Sequence, residues 1–139
     1  MKKIVSSLSV VTLLLVCLFS VGCQAEPQVT GIWADATYSE DTALGEGATT
    51  MTVVVSAEEK EVTLTVNTDQ KTVGAALVEV GVVEDADGDG LFTVVNGMTA
   101  DYNVDQTYWA FYENDAYANQ GMDTTTIDPA VTYKLVRSK

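Results

Sequence analysis

Between residues 51 and 67 apolar and polar positions alternate with period two. Met51, Val53 and Val55 fall on one side, with Thr52, Val54 and Ser56 opposite. After Ala57-Glu58-Glu59-Lys60 the pattern resumes, Val62, Leu64 and Val66 against Thr63, Thr65 and Asn67. Successive side chains of a strand point to opposite faces, so two such runs joined by a short polar link predict a β-hairpin with one buried face. The period then changes. Val73, Ala76, Leu77 and Val80 recur at i, i+3, i+4 and i+7, which lines up one face of a short helix. Thr72 is placed to cap its start and Gly81 to end it, while Ala75 stands where a Glu would complete a capping box.

Past residue 90 the pattern is extended again. Residues 91–95 predict a strand that ends at Asn96-Gly97, a strong turn signal. Residues 108–112, Tyr-Trp-Ala-Phe-Tyr, predict another, with Trp109 and Phe111 facing the core and Tyr108 and Tyr112 opposite. Asn114-Asp115 turns the chain into Ala116-Tyr117. Residues 131–136 close the domain, with Val131, Tyr133 and Leu135 on one side. There is no internal repeat. The order of hairpin, helix and further strands predicts an α+β fold, a small mixed or antiparallel sheet crossed by one short packed helix, which is a β-grasp-like layout.

The N-terminus follows another rule. Lys2 and Lys3 precede an almost unbroken apolar run over residues 4–19, short for a membrane span, which ends in Ser20-Val21-Gly22-Cys23. Small residues before a Cys at that point resemble a bacterial lipobox, with Ser20 where Leu is usual. Residues 1–22 then read as a lipoprotein signal peptide, Cys23 as the lipidation site, 23–30 as a tether and 31–139 as one domain. A secretory signal cut near Ala25 and a retained anchor helix are the other readings these residues allow. Two acyl chains on Cys23 suffice for stable anchoring. The expected location is therefore the cell membrane, lipid-anchored on its extracellular face.

Charge narrows the function. Seven Lys or Arg face twenty Asp or Glu, and loss of Lys2 and Lys3 with the leader takes the net charge from −13 to −15. Such a chain is repelled by nucleic acid and by anionic headgroups. Nucleic-acid binding is set aside. Catalysis also lacks its usual parts. There is no His, Cys17 lies in the leader, Cys23 is the lipid site, and no Ser stands beside an identifiable base. Carboxylates abound, but nothing singles out a catalytic pair. The expectation is a protein that is not an enzyme.

Two segments carry binding chemistry. Asp85-Ala86-Asp87-Gly88-Asp89-Gly90 matches the first half of a calcium loop, with Asp85, Asp87 and Asp89 at positions one, three and five and Gly90 at the sharp turn. Position twelve is Asn96 instead of a bidentate Glu, and a strand-like run follows where a helix should start. Both features argue against an EF-hand, and a loose Ca²⁺ site at about 10⁻⁴–10⁻³ M is the candidate. The second segment is aromatic. Tyr108, Tyr112 and Tyr117 offer flat faces with polar tips, suited to a planar ligand or a sugar, and are the candidate ligand-binding residues.

The stretches "TVGAALVEVGVV" and "GLFTVVNGMTADYNVDQTYWAFYENDAYANQGMD" resemble the transcobalamin-like C-terminal domain family, a domain-of-unknown-function family common in lipoproteins of gut Firmicutes. The likeness rests on the Asn96-Gly97 turn, the Tyr108-Trp109 strand, and Tyr117-Ala118 followed by Gly121. It implies a β-grasp-like fold and a role in holding a ligand, since vertebrate relatives close this domain over cobalamin. Two positions depart from the family. Asp115 stands where Gly usually follows Asn, and the acidic stretch 85–90 replaces a less charged one. The large helical domain that forms the other half of the vertebrate clamp has no counterpart here. The functional expectation is a lipoprotein that binds a small molecule for uptake, a cobalamin-type corrinoid being one candidate, with a transporter or surface protein as partner. The alternative is a structural or adhesion module that grips protein or glycan.

Overall fold

The computed structural model describes residues 29–85 and 90–139. A 3₁₀ turn, Gly31–Asp35, leads into β1 (Thr42–Leu44), β2 (Thr49–Ala57), β3 (Lys60–Thr68) and the helix α1 (Val73–Glu79). Then follow β4 (Val83–Glu84), β5 (Val94–Val95), β6 (Met98–Thr99), the single-turn helix α2 (Tyr102–Asp105), β7 (Tyr108–Glu113), β8 (Ala116–Tyr117) and β9 (Thr132–Ser138).

The period-two runs form the predicted hairpin, β2 antiparallel to β3 from Thr49↔Thr68 to Ala57↔Lys60. Met51, Val53, Val55, Val62, Leu64 and Val66 are all buried. Six strands make one mixed sheet in the order β1-β3-β2-β9-β7-β8. The first hairpin strand and the last strand are neighbours at its centre and run parallel, Thr52↔Thr132 to Ser56↔Val136. That parallel pair flanked by antiparallel partners is the β-grasp arrangement, so the fold is α+β as expected. The helix packs Val73, Ala76 and Leu77 into the core. Its Thr72 cap accepts from the Ala75 amide, and Gly81 follows with φ +71.

Two features depart from the expectation. Of residues 91–95 only Val94–Val95 pair, and they belong to a separate three-stranded sheet, β4-β5-β6. The Asn96-Gly97 turn reverses the chain after two residues, and Asp101 then caps α2, so the ladder ends after two pairs. β1, β4, β6 and α2 have no counterpart in the expectation. β1 is three residues long, too short for a period to show, and it is set beside β3 partly by the Asp41 carboxylate, which accepts from the Thr63 amide at 2.7 Å.

The two tight hairpins in the large sheet turn through left-handed residues without glycine. Glu58 and Glu59 have φ 47 and 66, and Asn114 and Asp115 have φ 46 and 65. Two-residue hairpins need this conformation to match strand twist. Asp115 therefore keeps the usual turn and adopts a backbone that Gly would adopt more easily.

The segment before β1 is tied to the domain. Trp33 is buried, its indole N–H donates to Ala57 O at 2.7 Å, and Lys60 Nζ lies 4.7 Å from its ring centroid. Asn96 makes the second tie. Its side chain donates to Tyr38 O and accepts from Tyr38 N, both at 2.8 Å, while its carbonyl accepts from Thr37 N.

Candidate functional site

The site arises where one strand stops following another. β8 pairs with β7 only at Tyr112↔Tyr117 and Glu113↔Ala116, and Ala118 N then donates to Phe111 O at 3.0 Å. The chain next leaves the sheet for α1, where Gly74 N donates to Met122 O at 2.7 Å and Val73 N to Thr125 O at 2.9 Å. Along Tyr108, Trp109 and Ala110 no strand lies on the outer side of β7 among the described residues. The space so opened is a cavity of about 570 Å³, walled by β7, residues 117–122, the start of α2 and residues 90–93. Small-molecule sites span roughly 300–1,000 Å³.

The cavity is aromatic and its rim is exposed. Tyr102, Tyr108, Trp109, Phe111 and Tyr117 all line it. Seven large hydrophobic side chains are exposed among the described residues, and four of them, Leu91, Tyr102, Tyr108 and Tyr117, border this one opening at 40–74 % exposure. Scattered exposure of that kind is ordinary, whereas convergence on one concavity marks a binding surface.

Its polar groups are largely free. The amide side chains of Asn103, Asn119 and Gln120 make no hydrogen bond among the described residues, and all three line the cavity. Trp109 is half-buried, and its indole N–H is buried without a partner. Among the described residues no Lys or Arg lines the cavity and Asp101 is its one acid, which accepts from Asn103 N at 2.9 Å. The nearby cation, Arg137, is used elsewhere. Its Nε donates to Thr99 O and its Nη2 pairs with Asp105 at 2.5 Å. Asp105 also accepts from the hydroxyl and amide of Thr107. The Thr107 hydroxyl is the chief cause that holds the Asp105 carboxyl below its ordinary range. This cluster fixes α2 and with it the Tyr102 side of the rim.

The residues singled out from sequence are distributed as follows. Tyr108 and Tyr117 face the cavity. Tyr112 does not line it, and meets Tyr117 edge-on with ring centroids 5.4 Å apart. Phe111 stacks on Tyr133 at 5.9 Å, within the core, while Trp109 is half-buried at the cavity wall. The three amides were not singled out, because their side chains reach the site through α2 and the 118–122 segment, whose paths no local pattern fixes. Cys23, Asp87 and Asp89 lie outside the described residues. Asp85 is described, and its Oδ1 is buried with no hydrogen-bond partner among the described residues. With Asp123 it lines a smaller concavity of about 430 Å³ beside α1. Among the described residues no three acidic, His or Cys groups converge to hold a metal ion.

The fold and site thus define a β-grasp-like domain with an aromatic cavity at the edge of its sheet. No protein-family model matches the chain, and no curated protein matches it either. Among solved structures it is similar to a protein of Ruminococcus gnavus ATCC 29149 with an inferred metal-binding role, at TM-score 0.60 and 23 % identity, over 66 % of this chain and 98 % of that one. It also aligns with haptocorrin in complex with Cbi, at TM-score 0.48 and 18 % identity, over 66 % of this chain and 25 % of that one. The first likeness shows a shared fold.

Proposed function

We propose that this protein is a non-catalytic lipoprotein, anchored through diacylated Cys23, that holds a small molecule at the cell surface for transfer to a transporter. The observation that carries the reading is the convergence of four exposed hydrophobic side chains on one cavity of small-molecule size. A corrinoid is the ligand suggested by the family resemblance. It would rest one face on Tyr108 and Tyr117 with most of its bulk outside the cavity. Calorimetric titration of the purified chain with cobalamin and cobinamide tests that version, with saturable heat expected and reduced about tenfold or more in affinity by Trp109→Ala. Neither heat nor a thermal shift with either compound would remove corrinoids as ligands. For the anchor, mass spectrometry of the membrane-extracted protein is expected to show a diacylglyceryl group on Cys23 as the first residue, and an unmodified Cys23 would count against lipidation.

A second reading concerns a cation. Asp85 Oδ1, buried and unpaired among the described residues and lining one concavity with Asp123, supports Ca²⁺ held there. A buried carboxylate oxygen without a partner is costly unless something compensates it. The Ruminococcus gnavus protein lends the idea context, but its likeness extends to fold alone. Asp85 therefore carries this reading.

A further inference from the structure

We infer that the aromatic cavity is built for a ligand of neutral, hydroxylated rings, a short segment of glycan, an inference that rests on the small-molecule reading of the same site.

The charge of the lining decides first. Among the described residues no Lys or Arg borders the cavity, Arg137 is already paired with Asp105 and Thr99, and the chain as a whole carries −13. Phosphate-bearing and carboxylate-bearing ligands would have to shed water with no cation to receive them, so anions are disfavoured. The shape of the lining decides next. Exposed Tyr102, Tyr108 and Tyr117 present ring faces and hydroxyl tips around one opening. Such rings stack on flat apolar faces while their tips stay in water. A purely apolar ligand would satisfy those rings and leave the amides of Asn103, Asn119 and Gln120 covered and unpaired. Each of those amides offers a carbonyl acceptor and two N–H donors. A ring with an apolar face and an edge of hydroxyls matches both sets at once, and each hydroxyl can donate to and accept from an amide. The open side of the cavity lets a longer chain continue past the rim.

The experiment uses the full chain, purified in a detergent without a sugar headgroup. It is titrated with cellohexaose, xylohexaose, mannohexaose and chitohexaose, with hexagalacturonate as an anionic chain of equal length, and with cobinamide. Tryptophan fluorescence and calorimetry are the readouts. Saturable binding of at least one neutral hexasaccharide is expected, with hexagalacturonate at least about tenfold weaker. Tyr108→Ala should weaken the neutral ligand about tenfold, and Gln120→Ala should weaken it less, both with unchanged melting temperature because both positions lie on the rim. Equal binding of hexagalacturonate, or a Tyr108→Ala affinity equal to wild type, would overturn the inference. Binding of cobinamide with no hexasaccharide would overturn it while leaving the small-molecule reading in place. Silence with every probe would remove both.

Discussion

Asn96 shows how far one residue can be read from sequence. Its place before Gly97 announces a tight turn, and the structure gives the pair φ 53 and 77 in the β5–β6 hairpin. Gly97 is required twice, by that backbone and by the Asp35 carbonyl, which a Cβ would strike. What the sequence conceals is the partner. The Asn96 side chain satisfies both backbone groups of Tyr38, 58 positions earlier, and nothing local in either segment signals the pairing. Asn is one of the few residues that tolerates a left-handed backbone and can also bridge an N–H and a C=O. Asn96→Ala should lose both hydrogen bonds and place Ala at positive φ. The expected loss is about 3 kcal/mol, from two partly buried bonds plus the left-handed penalty. Urea unfolding monitored by Trp33 fluorescence measures it, and a loss below about 1 kcal/mol would mean that the lead-in is held by Trp33 alone. Asn96→Asp keeps the acceptor, loses the donor and should fall between.

Elements with a clear period were legible, and those without one were not. The β2–β3 hairpin and α1 repeat at two and at 3.6 residues over seven or more positions, long enough for burial to impose a pattern. β1, β4, β5, β6 and α2 each have two to four residues, too few for a period to show. The aromatic strand β7 was legible for the same reason as the hairpin. The cavity beside it was not, because it exists only where the chain leaves β7 after Ala118 to meet α1. That meeting depends on Gly74. A Cβ there would come within 2.9 Å of the Asp123 backbone, and the Gly74 amide already donates to Met122 O. Ala normally favours a helix over Gly by about 1 kcal/mol, whereas a forced backbone shift costs about 1–3 kcal/mol. The clash should win. Gly74→Ala is expected to destabilise by up to about 2 kcal/mol and to loosen residues 119–125, seen as faster amide exchange there with α1 itself still protected. A stabilised Gly74→Ala protein would show that the helix and this segment are not in firm contact.

For the molecule as a whole, charge sets the background against which any cation site must be judged. With twenty acidic groups against seven basic ones, the folded chain repels itself, and any salt relieves part of that strain. A rise in melting temperature on adding Ca²⁺ would therefore mean little by itself. A real site differs in three ways: it saturates, it discriminates among ions at equal ionic strength, and it depends on particular carboxylates. If the loop holds Ca²⁺ at about 10⁻⁴–10⁻³ M, 5 mM Ca²⁺ should add about 1–2 kcal/mol, several degrees for a domain of this size. NaCl matched in ionic strength should give a smaller rise and Mg²⁺ an intermediate one, since Mg²⁺ gives up its water reluctantly. Asp85→Asn and Asp87→Ala should each remove the excess over NaCl while preserving the general salt effect. Equal rises in Ca²⁺ and NaCl, or an excess that survives both substitutions, would reduce the acidic loop to one more part of a charged surface. The carboxylate of Asp85 would then be a buried cost that the fold carries without compensation.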